Sequence, residues 1–106
     1  MVDDCIFCKI IAGDIPSSKV YEDEEVLAFL DISQVTPGHT LVVPKKHARN
    51  LLEMDETATA QLFARVSKVA KKVEAATQAK GMNIISNMEE VSGQTVFHTH
   101  VHIIPR

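Results

Sequence analysis

The sequence predicts an α+β domain in which an antiparallel sheet of about five strands carries one long helix on one face. Short runs rich in β-branched and apolar residues recur along the chain, one long segment has helical periodicity, and turn residues separate these segments. The chain has 106 residues, of which 45% are hydrophobic and 24% charged, as expected for one globular domain over residues 1–106.

The N-terminal part is predicted to form a short helix followed by two strands. Asp4 can cap a helix over residues 5–12, and Gly13 can end it. Residues 18–21 and 25–32 read as strands joined by an acidic turn. The chain therefore begins in the order helix, strand, strand.

Three further strands are expected. A turn at residues 36–38 precedes a β-branched strand at residues 40–44, which closes with proline. Residues 82–87 and 101–105 are predicted to form the last two strands, and a loop at residues 88–93 follows the first of them. Together with the N-terminal pair, these segments account for the sheet.

One long helix is the clearest element of the sequence. Asp55 can cap its start, and Gly81 occupies the position of a C-terminal glycine cap. Apolar residues recur between them at helical spacing: Leu62, Val66, Val69, Val73 and Ala76. We expect this stripe to bury against the sheet, and that structural role explains it completely.

Charge and composition exclude several classes of partner. The formal net charge is −3 and the sequence pI is about 5.9, whereas proteins that bind nucleic acid through its phosphates present a basic surface. No apolar run is long enough to span a membrane, and the acidic N-terminus does not resemble a signal peptide. We therefore expect a cytoplasmic protein without a nucleic-acid or membrane partner.

The most informative segment lies near the C-terminus, where His98, His100 and His102 alternate with other residues. Because strand side chains alternate between faces, the three imidazoles would share one face and the residues between them could pack on the long helix. A single strand histidine is usually polar filler, but three of the chain's five histidines in strict alternation are hard to explain that way. An H-x-H pair that binds a catalytic metal is the main rival interpretation.

A row of imidazoles suits chemistry at phosphorus. Neutral imidazole is a competent nucleophile near pH 7, because its unperturbed pKa is about 6.5. Its reactive nitrogen must be unprotonated, so another group must hold the proton on the second nitrogen. A further group must protonate or orient the leaving group. The three histidines would therefore divide these roles between them.

The segment from His98 to Ile104 resembles the signature of the histidine triad (HIT) nucleotide-binding family, His-φ-His-φ-His-φ-φ with φ apolar, except that Thr99 occupies the first φ position. Residues 5–11, 31–33, 37–47 and 93–96 are also similar to the bacterial branch of that family in order and spacing. The resemblance implies a HIT-like fold and a homodimer in which two sheets join into one continuous sheet.

The resemblance also implies a role for each matching residue. His100 would be the nucleophile that forms a nucleotidyl-histidine intermediate, with His98 and His102 in support and His102 in contact with the phosphate. Asp31 would accept hydrogen bonds from the ribose hydroxyls. The loop before the triad would bind phosphate oxygens or the leaving group through Asn87, Gly93, Gln94, Thr95 and Val96, with Thr95 among the catalytic residues.

The implied base pocket is apolar. Its walls would be Phe7, Ile10, Ile15, Phe29, Ile32 and Leu41. Judged from the residues alone, Asp31 could instead cap a strand end, and Phe7, Phe29 and Leu41 could be ordinary core. Both alternatives stay open at this point.

Two cysteines, Cys5 and Cys8, lie three residues apart on the predicted first helix and would face the same way. Thiolates at helix N-termini have lowered pKa values, which favours metal binding or redox activity, although one C-x-x-C is a weak signal. Some relatives hold a structural Zn²⁺ with two cysteines and two histidines, and the resemblance implies Cys5, Cys8, His47 and His98 here. Such a closed set suits a structural site, so the chemical step would need no cofactor.

The resemblance leaves the substrate open. Purine nucleoside phosphoramidates are the first expectation and dinucleoside polyphosphates the second, while a regulatory nucleotide-binding protein with little turnover is a third class. Relatives usually continue beyond the position of Arg106, and their C-terminal segment can influence the partner's active site. Leaving-group preference therefore remains open as well.

Overall fold

A five-stranded antiparallel sheet forms the centre of the computed structural model, which describes residues 4–106. Its strand order is β1-β2-β3-β5-β4, and all four pairings are antiparallel. The strands are β1 (Lys19–Glu22), β2 (Val26–Leu30), β3 (Thr40–Pro44), β4 (Met82–Ile85) and β5 (Val101–Pro105). This architecture confirms the predicted α+β class and the number of strands.

The short helix α1 spans Ile6–Ala12. Its N-cap is Cys5 rather than the predicted Asp4, because the Cys5 sulfur accepts a hydrogen bond from the Cys8 N–H at 3.3 Å. Gly13 ends the helix as expected, with a left-handed φ of 87° that glycine adopts without strain. The helix therefore begins at the first of the two cysteines.

The long helix α2 spans Glu56–Thr77. Asp55 caps its start as predicted, with its carboxylate accepting from the Ala58 N–H at 2.8 Å. The predicted end at Gly81 is wrong, because Gln78 already adopts the left-handed conformation and its N–H reaches the Glu74 oxygen at 2.8 Å. Gly81 instead accepts from the Arg106 N–H beside the sheet.

The apolar stripe of α2 packs on one face of the sheet as predicted. Leu62, Val66, Val69 and Val73 are buried there, whereas Ala76 is exposed. Val101 and Ile103 of β5 belong to the same cluster. The opposite face of the sheet packs against α1 through a second cluster that contains Phe7, Ile10, Leu27, Phe29, Leu41 and Val43. The site lies on this second face.

Two strand boundaries differ from the prediction in ways that affect the site. β2 ends at Leu30, so Asp31 and Ile32 follow the strand. β4 ends at Ile85, and a 3-10 turn at Glu90–Ser92 interrupts the following loop.

β5 has the predicted bounds, Val101–Pro105. The shared face of the three histidines is not observed, because His98 and His100 lie in irregular backbone before this strand. The Thr99 N–H donates to the Ala48 oxygen at 2.8 Å, which pairs this segment with the loop after β3 instead of with the sheet. The three histidines therefore do not lie along one straight strand.

The segment that connects β3 to α2 contains a 3-10 turn at Leu51–Glu53.

Within residues 4–106, no helix has both the length and the apolar character needed to cross a bilayer.

Candidate active site

A cleft of about 1080 Å³ opens beside α1. Predicted site residues that line it are Phe7, Ile10, Phe29, Asp31, Ile32, Leu41, Thr95, Val96, His100 and His102. Its apolar wall is largely buried, but the Ile32 side chain is 100% exposed at the rim. The cleft therefore combines an apolar wall with two imidazoles and a carboxylate.

Several predicted residues lie outside the lining of the cleft. Ile15 packs against the α1 cluster beneath it. Asn87 and Gly93 lie next to each other in the loop before the histidines, and Gly93 has a φ of 105°. The Gln94 amide is buried and donates to the main-chain oxygens of Arg49 and Val96, at 2.6 and 3.1 Å. Direct contacts of these residues with a nucleotide stay predictions.

The His100 ring has a defined tautomer. Its Nδ1 lies 2.7 Å from the His98 carbonyl oxygen, which can only accept, so the neutral ring carries its proton on Nδ1. Burial lowers the pKa of His100 below 6.5, and the Phe7 ring packs edge-on at 5.1 Å between centroids. Nε2 is therefore the unprotonated, nucleophilic nitrogen at neutral pH.

His102 is held by a residue that the sequence analysis missed, His39. The Val35 N–H donates to His39 Nδ1 at 3.1 Å, which leaves the His39 proton on Nε2. That Nε2 lies 2.9 Å from His102 Nδ1, so the neutral His102 ring carries its own proton on Nε2. Burial, together with the neighbouring His100 and His39, lowers the pKa of His102 to about 4. His102 is therefore a neutral N–H donor near pH 7.

Asp31 lies directly after β2, where its carboxylate contacts both the following turn and the His39 ring. One of its oxygens accepts from the Ser33 N–H at 2.9 Å, and the other lies 3.5 Å from His39 Nε2. Asp31, His39 and His102 place three metal-ligating atoms within 4.8 Å of one another. However, His39 Nε2 carries a proton and donates it to His102 Nδ1, because His39 Nδ1 accepts from the Val35 N–H, so these two nitrogens are not free to bind a catalytic metal.

Thr95 and Val96 line the cleft together with His100. Within residues 4–106, neither of their backbone N–H groups donates to a protein acceptor. The Thr95 side chain is exposed. In the described part of the chain, this segment therefore has two backbone N–H groups without a protein acceptor and one exposed hydroxyl on residues that line the same cleft as His100, and such donors suit an anionic transition state.

The third predicted triad residue, His98, lies outside the lining of the cleft, in the four-residue cluster that the resemblance implied. Its ring lies with Cys5, Cys8 and His47 in a cluster whose ligand atoms are all within 4.8 Å of one another. The Cys5 and Cys8 sulfurs lie 3.4 and 3.6 Å from His98 Nδ1. His47 Nδ1 lies 3.4 Å from the Cys8 sulfur and 3.1 Å from His98 Nδ1.

These distances fit a tetrahedral metal ion. A tetrahedron with metal–sulfur bonds of about 2.3 Å and metal–nitrogen bonds of about 2.0 Å has sulfur–nitrogen edges of about 3.5 Å and a nitrogen–nitrogen edge of about 3.3 Å. His98 Nε2 donates to the Pro44 oxygen at 2.8 Å, which leaves Nδ1 free to coordinate. Burial lowers the pKa of His98 to about 4, so the ring is the neutral ligand that a metal needs.

The thiol of Cys5 differs from the expectation in one respect. Burial raises its pKa, whereas the helix N-terminus was expected to lower it. Desolvation of the thiolate outweighs the hydrogen bonds from the backbone at this position. Metal coordination would supply the positive charge that a buried thiolate requires.

Comparison with known proteins identifies the family. Residues 12–106 match the HIT domain. This chain belongs to the HIT family. It is 58% identical to the protein named Protein hit of Bacillus subtilis, over 98% of this chain and 72% of the relative. A crystal structure from Streptococcus mutans superimposes with a TM-score of 0.98 at 67% identity, covering 100% of this chain and 68% of the other.

A plant member of the HIT family has a named activity. An adenylylsulfatase of Arabidopsis thaliana is 39% identical over 98% of this chain and 53% of the relative. Proteins of the HIT family act on nucleotide substrates, and the family includes hydrolases.

Ten of the residues named from the sequence line the cleft, but the sequence analysis missed His39 and the loop contacts of Gln94. His39 lay inside the matching run at residues 37–47, and it was one of only five histidines in the chain. Those two facts were the available signals. Its pairing with His102 depends on the antiparallel register of β3 and β5, in which Leu41 lies opposite His102.

Proposed function

We propose that this HIT protein hydrolyses purine nucleotides at the α-phosphorus through a nucleotidyl-His100 intermediate. Nucleoside 5′-phosphoramidates are the proposed substrates, and AMP or GMP is released. The observation that carries the proposal is the 2.7 Å hydrogen bond from His100 Nδ1 to the His98 oxygen. It leaves an unprotonated Nε2 on a ring that lines a cleft of suitable size.

In the first step, His100 Nε2 forms a bond to phosphorus as the bond from phosphorus to the leaving amine breaks. The N–H groups of Thr95 and Val96, with Nε2–H of His102, stabilise the charge on the phosphate oxygens. The leaving amine takes its proton from solvent, and the Thr95 hydroxyl is available to orient it through a hydrogen bond. In the second step, water attacks phosphorus, the bond to His100 breaks, the proton lost by the water returns to solvent, and the nucleotide leaves.

The remaining walls of the cleft suit a nucleoside. Asp31, 3.5 Å from His39 Nε2, has an oxygen available for the ribose hydroxyls. Phe7, Phe29 and Leu41 are buried apolar side chains that would contact the base. Ile32 is fully exposed at the rim, where a bound base would cover it.

We further propose that Cys5, Cys8, His47 and His98 hold a structural Zn²⁺. Two thiolates and two imidazoles form a closed tetrahedral set with no open position. When bound, the ion would cross-link α1, the loop after β3 and the histidine segment. It supplies no chemistry to the phosphorus centre, and no step above depends on it.

We also propose a homodimer that forms through β4, an edge strand of the sheet. Ile84 and Ile85 on this edge are 44% and 40% exposed, which is unusual for isoleucine in a strand. Sedimentation of the wild type should give a dimer, and Ile84→Lys should weaken it. Leu52→Lys, at a residue 75% exposed away from this edge, is the matched control. A monomeric wild type would exclude the dimer.

Three further expectations stay predictions. They are a single domain over residues 1–106, a cytoplasmic location, and the absence of nucleic-acid and membrane partners.

The experiment that tests the function measures AMP release from three substrates by the wild type and by His100→Ala. The substrates are adenosine 5′-phosphoramidate, a diadenosine polyphosphate and adenylyl sulfate, the last chosen because of the plant relative's name. AMP release by the wild type mainly from the phosphoramidate, together with loss of that release in His100→Ala, supports the proposal. Preference for another substrate keeps the mechanism and changes the substrate. Binding of AMP without release from any substrate would favour a regulatory nucleotide-binding protein.

A further inference from the structure

Glu89 has a backbone conformation that side chains other than glycine rarely adopt. Its φ is 75° and its ψ is 157°, in a region populated almost entirely by glycine. The residue lies in the loop that leads from β4 to Thr95 and Val96. Such strain persists only where surrounding contacts enforce it.

Local hydrogen bonds from the Ser92 and Gln94 N–H groups reach the Glu89 oxygen at 3.1 and 3.2 Å, and the contacts to its side chain come from residues far away in the sequence. The Arg49 guanidinium donates to both Glu89 carboxylate oxygens, from Nε at 2.7 Å and from Nη2 at 2.8 Å. The Asn50 amide donates to the same carboxylate at 2.8 Å. Arg49 is itself held by the Phe97 ring, whose centroid lies 4.3 Å from Cζ. A bidentate pair of this kind restricts the relative orientation of the guanidinium and the carboxylate as well as the distance between them.

The strained residue is connected to the cleft through the buried Gln94 side chain. The Glu89 N–H donates to Gln94 Oε1 at 2.8 Å, and Gln94 Nε2 donates to the oxygens of Arg49 and Val96. Asn50 and Gln94 are each only 1% exposed, so this network has little freedom to rearrange. Arg49 and Glu89 do not line the nucleotide cleft. The hydrogen bonds through Gln94 give this pair a direct route to Val96 in the cleft.

We propose that Arg49 and Glu89 are positioning residues, which hold residue 89 in its strained conformation and thereby aim the Thr95 and Val96 N–H groups at the reacting phosphate. This inference rests on the proposed function, since it assigns a purpose to those N–H groups. The pair acts on the transition state more than on ground-state binding, because the charge on the phosphate oxygens is redistributed during the reaction.

Three substitutions separate positioning from simple stabilisation. Glu89→Ala removes the ion pair and retains a side chain that disfavours this φ. Glu89→Gly removes the same pair but permits the conformation without strain. Arg49→Met tests the other partner. Arg65→Met is the matched control, because Arg65 makes a comparable 2.9 Å pair with Asp23, and neither residue lines the cleft.

Glu89→Ala and Arg49→Met should lower kcat by about tenfold to a hundredfold with KM changed by less than about threefold, as expected for misplaced groups. Glu89→Gly should recover most of kcat, and its Tm should exceed that of Glu89→Ala by about 4 °C or more. Arg65→Met should leave kcat unchanged. The proposal would be overturned if Glu89→Ala had the kcat of the wild type or if the alanine and glycine variants lost kcat equally. A change confined to KM would also overturn it.

A second measurement tests the positioning role independently of the proposed hydrolysis. Amide NMR shifts of Thr95 and Val96 are recorded during titration with AMP. Large shifts in the wild type and in Glu89→Gly, with small shifts in Glu89→Ala, support positioning even if no substrate is turned over. Equal shifts in all three proteins would refute positioning even if turnover is found.

Discussion

His98 links the candidate metal cluster directly to His100. The ring Nδ1 of His98 lies 3.4 Å from the Cys5 sulfur, while its main-chain oxygen accepts the 2.7 Å hydrogen bond from His100 Nδ1. One residue therefore contributes a ring nitrogen to the cluster and also determines which nitrogen of the neighbouring ring is free. The geometry of the proposed nucleophile and that of the cluster are coupled through His98.

Removal of the metal should destabilise the protein without removing the nucleophile. Protein purified without chelator should contain about one equivalent of zinc by elemental analysis, and chelation should lower its Tm by at least about 4 °C because a cross-link is lost. In a Cys5→Ser, Cys8→Ser double variant, chelator should cause no further change. His100→Ala should retain its zinc while losing turnover. Less than about a tenth of an equivalent in the wild type would refute the site.

His39 should affect turnover through the tautomer of His102. His39→Leu removes the N–H that lies 2.9 Å from His102 Nδ1, and we expect kcat to fall by about tenfold to a hundredfold. His39→Gln can place an amide N–H near the same position and should recover part of that loss. Steady-state kinetics of both variants make the comparison. Because His39 is only 2% exposed, thermal melts of both variants check that each remains folded. Equal activity of the leucine and glutamine variants would argue against this role.

The pH dependence of kcat/KM should reflect the lowered pKa of His100. Burial disfavours the charged ring, so Nε2 stays unprotonated to more acidic pH than an ordinary histidine with pKa 6.5. Activity should therefore be constant near neutral pH and decline only below pH 6.5, as the ring gains a proton. The profile needs a substrate blank and a folding control at each pH. An acidic decline centred above pH 6.5 would contradict the assignment.

Asp23 should contribute stability that disappears in acid. Burial opposes its ionisation, but hydrogen bonds from Tyr21, Arg65 and the N–H groups of Glu25 and Val26 outweigh that effect and lower the pKa from 3.8. Because the pKa is lowered in the folded state, the stabilisation is complete above pH 3.8 and is lost as pH falls further.

Asp23→Asn should therefore lower the free energy of unfolding by about 1–3 kcal/mol at neutral pH, and the difference should shrink in acid. Urea unfolding at about pH 7 and about pH 3 measures both values. Asp14→Asn, at an exposed carboxylate, is the control. A difference that does not change with pH would mean that the charge of Asp23 makes no contribution.

Local elements of this fold could be predicted because their causes are local. The strand at residues 40–44 has the bounds expected from its β-branched run and its proline, and Asp55 caps α2 through its own side chain. Gly81 failed as a helix end because Gln78 adopted the left-handed conformation first. Competition between neighbouring candidate caps is decided by packing at the end of the helix, which a sequence pattern does not contain.

By itself, the sequence determined the α+β class, the long helix with its Asp55 cap and the alternating histidines, because side-chain periodicity and capping are properties of neighbouring residues. The four candidate metal ligands came from the resemblance to the HIT family. Only the tertiary structure decided which groups contact the histidines. It gathered Cys5, Cys8, His47 and His98 into one cluster, brought His39 to His102 across 63 positions, and placed Arg49 against Glu89 across 40. Strand register and long-range packing set those contacts, so they exist only once the chain has folded.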